Sequence, residues 1–483
     1  MDKKPELQQL LFDLFKMQIE FGAYRYGDVL PTLKEASGYL LASVDTVRFA
    51  YGRLKREGYI LLNAGVGATV HVNYSEEETQ RHIQRYFSSR REPLLAFAQC
   101  VGLLTDHAQW LALKRAAPEV LDELERICLQ KEIVPVYKLS RQLQLIYGPL
   151  GNDLLLRLFW QMLLFFQAPL VSVPRNAQVI NGRNSPLLGM IRSVRMQDWA
   201  ALWEAGDWTR AQYFDGLSSF LSGSIAPIAD VKQLDFTWSV YKKTSQVCYT
   251  LCLELLIGMH DGRYPAGSFL PAPRELAQEK KAGEKTIRRA ILLLNRLGAA
   301  ASINGIGTKV LAPSKCAPNC DFSDATVQRR LLDFLYSFHL LMLSCRTCAR
   351  RTIESMEAGD ISRWRAQLEA AGRDKTYDRL FYVCYRTLAA HAPYPPVRTV
   401  YKELIRQLFW GFPLRRPGGW EEAESLYRPP LEALIDCLGR SDAEGFAVRF
   451  EALQIAETHR LIRRMVALGI DRAGLLLVPG GTD

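Results

Sequence analysis

The side chains with a capacity for chemistry in this sequence are mostly cations and hydroxyls in two matching sets. Lys34, Ser43, Thr46 and Arg48 form the first set; Arg274, Lys280, Lys281, Lys285, Thr286, Arg288 and Arg289 form the second. Guanidinium, ammonium and hydroxyl groups act by hydrogen bonding, and phosphate oxygens and base edges are acceptors that such groups read. Each set is followed by a Gly-x-Gly, Gly65-Val66-Gly67 and Gly305-Ile306-Gly307, and the second of these leads to Lys309. No nucleophile, base or carboxylate pair clusters or recurs, so an enzyme is the weakest reading.

Cysteine offers a second chemistry. Cys316-x3-Cys320 and Cys345-x2-Cys348 supply four thiols that could close a structural zinc site. The spacing is loose and the second pair falls within a helix pattern, so ordinary reduced cysteines are the expectation. Ten cysteines in 483 residues are too few for a disulfide scaffold. The N-terminus has no long apolar run or small-residue cleavage site, which makes the cytoplasm the expected compartment. The most apolar stretch, Leu154 to Val173, is interrupted by Arg157, Gln161, Gln167 and Pro169 and reads as a buried helix, not a membrane span.

The elements that must hold the two cation sets come from an internal repeat. At an offset of 240, Gly22 falls on Gly262, Gly27 on Gly267, Leu30-Pro31 on Leu270-Pro271, Glu35 on Glu275, and Thr46-Val47-Arg48 on Thr286-Ile287-Arg288. Leu54, Gly58, Gly65-x-Gly67 and Val70 keep the same offset. Further on the match drifts, pairing Leu158-Phe159-Trp160 with Leu408-Phe409-Trp410 and Pro186-Leu187 with Pro430-Leu431. A length of 483 residues is therefore twice a unit of about 240. Each unit is a short module followed by a long one: 1–74, 75–235, 236–313 and 314–475, with a tail at 476–483.

In the short module, Leu10, Leu11, Leu14, Phe15 and Ile19 have helical spacing, and Gly22 is placed to end the helix. A turn at Gly27 to Pro31 leads to a second helix through Lys34, Glu35 and Leu40. Ser43 is placed to cap a third helix that carries Thr46, Val47, Ala50, Tyr51 and Leu54 and ends at Gly58. Tyr59–Leu62 and Ala68–Val72 read as two strands around a glycine hairpin. Three helices and a hairpin make a winged helix-turn-helix, whose third helix enters the major groove. The fold class is thus mainly α, with two winged helix-turn-helix domains alternating with two α-helical bundles.

These residues resemble the DNA-binding domain of GntR-type bacterial transcription regulators, over about 70 residues in each copy. The second copy is closer, with Pro265 to Ala277, Thr286-Ile287-Arg288 and Gly305-Ile306-Gly307-Thr308. The resemblance implies that Lys34 and Arg274, each before a Glu, lie near the DNA backbone or a base edge. It also implies an Arg after the residue that opens the third helix, where this chain has Val44 and Glu284. Val can meet only a thymine methyl, and Glu accepts from cytosine but repels phosphate. The later Arg is kept as Arg48 and Arg288, and the threonine as Thr46 and Thr286. Of the net charge of +10, residues 236–313 hold +6 and residues 1–74 only +1. The second copy is therefore expected to grip DNA more strongly.

The long modules show helical apolar periodicity, as at Leu331, Phe334, Leu335, Phe338 and Met342, and no extended strand pattern. The resemblance implies effector and dimerisation bundles of the all-helical branch, with no aminotransferase-like domain and no cofactor. Its one-Asp, three-His metal site finds little support, because His82, His107, His339, His391 and His459 do not recur between copies. Trp160, Phe165, Phe166, Trp410 and Phe412 suit a ligand pocket and suit a bundle core better. The expected partners are a double-stranded DNA operator and a small-molecule effector, with an intramolecular pseudo-dimer, or also a homodimer, and no membrane. The alternative is a protein-interaction scaffold whose winged helices have partly lost DNA binding.

Overall fold

The computed structural model describes residues 7–63, 66–130, 134–176, 185–228, 231–241, 246–414 and 420–480. The chain divides into two compact units, residues 1–238 and 239–483. The first opens with α1 (Leu7–Glu20), α2 (Leu33–Tyr39) and α3 (Val44–Arg56), then an antiparallel hairpin of β1 (Ile60–Asn63) and β2 (Gly67–Val70). Leu11, Leu14 and Phe15 of α1 are buried, as are Val47, Ala50, Tyr51 and Leu54 of α3. The rings of Phe15 and Tyr51 meet edge to face at 5.0 Å.

Local chemistry sets the helix starts. Thr32 Oγ1 accepts from the Glu35 amide at 3.3 Å while the Glu35 carboxylate accepts from the Thr32 amide at 2.9 Å, which satisfies two of the donors that open α2. Glu275 likewise accepts from the Ala272 amide at 3.0 Å. The repeated Glu therefore starts the helix, and the basic residue before it is left exposed. Leu41 and Lys281 occupy the same place in the following turn with φ of 53° and 49°, the left-handed bend that turns the chain into the third helix. Ser43 Oγ accepts from the Thr46 amide at 3.2 Å. Gly283, its counterpart, caps without a side chain, which costs only a few tenths of a kcal/mol, ~0.3.

The hairpin strands lie within two residues of the expected Tyr59–Leu62 and Ala68–Val72. The pairing Ile60↔Val70 is the outermost ladder pair, and beyond the His71 amide's bond to Tyr59 the chain leaves for Ser75, which caps the next helix. A bridge from Val29 to Thr69 adds a third segment beside the wing.

The first helical module comprises α4 (Glu76–Ser88), α5 (Arg91–Lys114), α6 (Pro118–Leu129), α7 (Pro135–Tyr147), α8 (Asp153–Phe165), α9 (Gln167–Ser172), α10 (Pro186–Arg195) and α11 (Trp199–Ser224). The continuous helix expected over Leu154–Val173 is divided at Phe166. Pro169 has no N–H to give the carbonyl four residues back, at Phe165, so the helix breaks there. Trp160 and Phe166 are buried. The winged module rests on this bundle through Tyr39 stacked on Tyr137 at 5.1 Å and a 3.0 Å hydrogen bond between the Tyr24 and Tyr137 hydroxyls. After α11 the chain returns along α4, where Leu234 N donates to Ser89 O at 2.7 Å. Phe236 then packs on Phe97 and Phe165 at 5.1 and 5.4 Å. Phe236 and its partners lie within the first compact unit, which runs to Trp238.

The second unit repeats the plan: α12 (Val247–His260), α13 (Pro273–Glu279), α14 (Glu284–Arg296), β3 (Ala300–Ile303) and β4 (Gly307–Val310). Its hairpin register, Ala300↔Val310, is that of the first copy shifted by 240. Then follow α15 (Cys316–Asn319), α16 (Ala325–Ser355), α17 (Ala358–Arg373), α18 (Leu380–His391), α19 (Pro395–Gln407), α20 (Trp420–Gly439) and α21 (Ala443–Ala467). Trp410 and Phe412 are core residues of this bundle. Asp198 and Asp442 cap α11 and α21 in the same way, accepting from the Ala201 and Gly445 amides at 2.9 and 2.8 Å. The offset of 244 therefore holds at the start of the last helix. No described helix is long and apolar enough to cross a membrane.

Candidate nucleic-acid interface

With 47, 50, 51 and 54 turned inward, α3 presents Val44, Asp45, Arg48 and Phe49 to solvent. The same geometry makes α14 present Glu284, Lys285, Arg288, Arg289 and Leu292. Lys34 and Arg274 are exposed on α2 and α13, Lys281 is exposed in the turn, and Thr46 and Thr286 are half-buried under the first turn of their helices. Thr46 is tied to Ser43 by a 2.8 Å hydroxyl hydrogen bond. Gly67, Gly305 and Gly307 have φ of 100°, 74° and 140°, so the wing tips require glycine. Gly65 lies outside the described residues. Lys309 is exposed on β4.

Two features of this face were not legible from spacing. First, each retained Arg is held by an acid one turn earlier. Arg48 binds Asp45, and Arg288 Nη2 lies 2.6 Å from Glu284. Exposed pairs of this kind contribute about 0–1 kcal/mol, so phosphate can displace the acid at small cost. Second, Lys280 is turned away from the outer face. Its ammonium lies 3.5 Å from Glu254 of α12 and 3.2 Å from Glu279, with the side chain only 15% exposed. Its charge thus fastens α13 to α12.

The cysteines and histidines do not assemble. Among the described residues no three His, Cys, Asp or Glu side chains gather where they could hold a metal ion. Burial pushes the thiols of Cys320 and Cys348 up to about 12, away from thiolate chemistry. His339 and His459 face the Leu477 and Pro479 carbonyls at 2.9 and 3.2 Å, and His391 faces Asp360 at 3.5 Å.

The first helical module contains a cavity of about 190 Å³ lined by α5, α7, α8, α10 and α11. Asp106 lies on it, 2.6 Å from Arg210. Burial outweighs that guanidinium and pushes the Asp106 carboxyl up to about 7. Gly102 makes the pair possible, since a Cβ there would stand 2.6 Å from both partners. With the folded value above the ordinary 3.8, the folded state retains a proton that the unfolded state has released. This group's contribution to stability therefore falls as pH rises from about 4 to about 7, and is level above that. Asp106→Asn should remove that component. Thermal unfolding of both proteins between about pH 5 and 8 checks it, and an unchanged pH dependence in the variant would contradict the assignment.

Three helices, a hairpin wing and an outward third helix define each short module as a winged helix-turn-helix of the DNA-binding type. Residues 7–70 and 252–310 match the family model for bacterial regulatory proteins of the gntR family, so the chain carries that family's domain twice. Both winged modules belong to the gntR family, the domain type of DNA-binding transcription regulators. No curated protein matches the chain. Solved structures similar to it include a GntR protein of Streptococcus agalactiae, at 17% identity and a TM-score of 0.21, covering 44% of this chain and 99% of that one. Another is Lar, which controls expression of the Listeria monocytogenes agr system and mediates virulence, at 15% identity, TM-score 0.23, covering 46% and 98%. A third is McbR/YncC of E. coli, at 17% identity, TM-score 0.21, covering 45% and 99%.

Proposed function

We propose that the chain regulates transcription without catalysis, as a covalent pseudo-dimer. Its two winged modules read the two halves of one operator, and a ligand in the helical modules modulates affinity. The observation that carries this reading is the contrast between two equal frames with unequal reading residues. Position for position, α3 offers Val44, Asp45, Arg48 and Phe49 where α14 offers Glu284, Lys285, Arg288 and Arg289. Val and Phe favour a thymine methyl, whereas Lys and Arg favour phosphate and guanine. The operator is therefore asymmetric, with the second unit supplying most of the salt-sensitive grip. Lys34, Arg274, Lys281 and Lys309 serve as backbone contacts at the edges. A second reading rests on the apolar exposure of the first module, where Phe49 and Val66 are 47% and 60% exposed. Such a face suits a protein partner as well as DNA. Footprinting on DNA selected from a random pool separates the two readings: a regulator protects a defined asymmetric site, and a scaffold selects none.

A further inference from the structure

Gly52 stands in the third turn of α3, a helix interior in which glycine is less favourable than alanine because it gives up more backbone freedom on folding. Its own backbone does not ask for glycine, since it lies outside the left-handed region that only glycine enters easily. A Cβ built there meets, among the described residues, no neighbouring group within 4 Å. Its counterpart at the offset of 240 is Leu292, which is exposed, so the shared frame accepts a bulky side chain at this place. The glycine therefore answers to something outside the fold. It lies one turn after Arg48 and Phe49 on the same side of the helix, where a missing side chain lets a partner's surface come against the backbone.

The side chains beside this opening are apolar. Of the four outward residues Val44, Asp45, Arg48 and Phe49, the one cation is Arg48, and it is paired with Asp45. The second copy puts Glu284 and Arg289 in the places of Val44 and Phe49, so neither apolar residue serves the frame. The third helix of such a module enters the major groove, where the base edges show hydrogen-bonding groups and one apolar group, the methyl on C5 of thymine. A cytosine methylated at C5 shows the same methyl at the same place. An apolar face laid against a major groove thus has pyrimidine methyls to read, and it gains by taking them out of water.

We infer that the first winged module reads pyrimidine C5-methyl groups through Val44 and Phe49, with Gly52 letting α3 lie close enough for them to touch, and that it accepts 5-methylcytosine in place of thymine. Methylation of cytosine at such a place then strengthens binding, which makes a chemical mark on the DNA a signal to this chain. The inference rests on the reading that both winged modules bind one operator, and it supplies the group that the first of them recognises. Val and Phe do not distinguish the O4 of thymine from the amino group of cytosine, because neither has a donor or acceptor to offer them.

Fluorescence anisotropy of the full chain on a duplex selected from a random pool tests this, with thymines replaced by uracil in one half of the site at a time. Uracil lacks only the methyl. In the half read by the first module it should weaken binding about fourfold for each methyl buried, and Val44→Ala/Phe49→Ala should abolish that difference. With cytosine at the same places and guanine opposite, 5-methylation should strengthen binding by the same factor. Gly52→Ala should raise the melting temperature by about 1–4 °C and yet weaken DNA binding by about fivefold or more, opposite signs that a structural role alone does not give. Equal affinity for thymine and uracil duplexes, a thymine preference that survives Val44→Ala/Phe49→Ala, no effect of cytosine methylation, or a Gly52→Ala variant with parental affinity would overturn the inference and leave the regulator reading standing. A chain that binds no duplex would remove both.

Discussion

Replacing Arg288 and Arg289 together by Ala is expected to weaken DNA binding by about 30- to 1,000-fold, corresponding to roughly 2–4 kcal/mol for two lost charge-assisted contacts. Both side chains are exposed on α14, and Glu284 is a partner that phosphate displaces at small cost. The same substitution at Arg48 should cost about tenfold or less, because one contact is lost where the double variant loses two. The position corresponding to Arg289 is Phe49, which has no charge to lose. Fluorescence anisotropy at two salt concentrations distinguishes the terms: the double variant should also lower the salt slope by about one per phosphate contact removed. A larger loss at Arg48 would reverse the ranking of the two modules.

Arg330→Ala is expected to destabilise the second unit by about 3–5 kcal/mol, the range for breaking a buried ion pair from one side. Arg330 and Asp333 are 4% and 9% exposed at the side chain and lie 3.0 Å apart. The guanidinium stands over the rings of Tyr249 and Tyr241 at 4.2 and 5.1 Å. The Tyr241 hydroxyl donates to Asp333 at 2.6 Å and accepts from Trp410 Nε1 at 2.8 Å. This cluster fastens the segment leading into the second unit, the first helix of its winged module, α16 and the chain after α19 to one another. Removing the cation strands a buried carboxylate, so Arg330→Ala/Asp333→Ala should recover part of the loss. Denaturant titration followed by tryptophan fluorescence measures both, and a single variant within about 1 kcal/mol of the parent would show that the cluster is not a fastening.

The frame of both winged modules was legible in the sequence because it depends on local chemistry that the two copies share. Glu35 and Glu275 cap helices, glycines occupy left-handed turns, and the buried side of the third helix repeats at helical spacing. What could not be read was decided by distant partners. Lys280 has the sequence context of a DNA-facing cation, but its partner Glu254 lies on another helix. The ion pairs of Asp106 with Arg210 and of Arg330 with Asp333 leave no periodic trace, since a buried charge looks like a surface one in the sequence. Nor did the aromatic residues at bundle positions distinguish core from cavity. Trp410 proved to be core, while Phe409 beside it lines a cavity in the second unit. The packing of Phe236, near the expected end of the first unit, was equally hidden, because the rings that hold it lie more than 70 residues away in sequence.

The most direct measurement is a hydroxyl-radical footprint of the full chain on its selected operator, repeated with the Arg288→Ala/Arg289→Ala variant. Two protected patches of different sequence on one duplex are expected, with the variant losing the stronger one and keeping the weaker. Two identical inverted half-sites, protected equally and lost together, would contradict it.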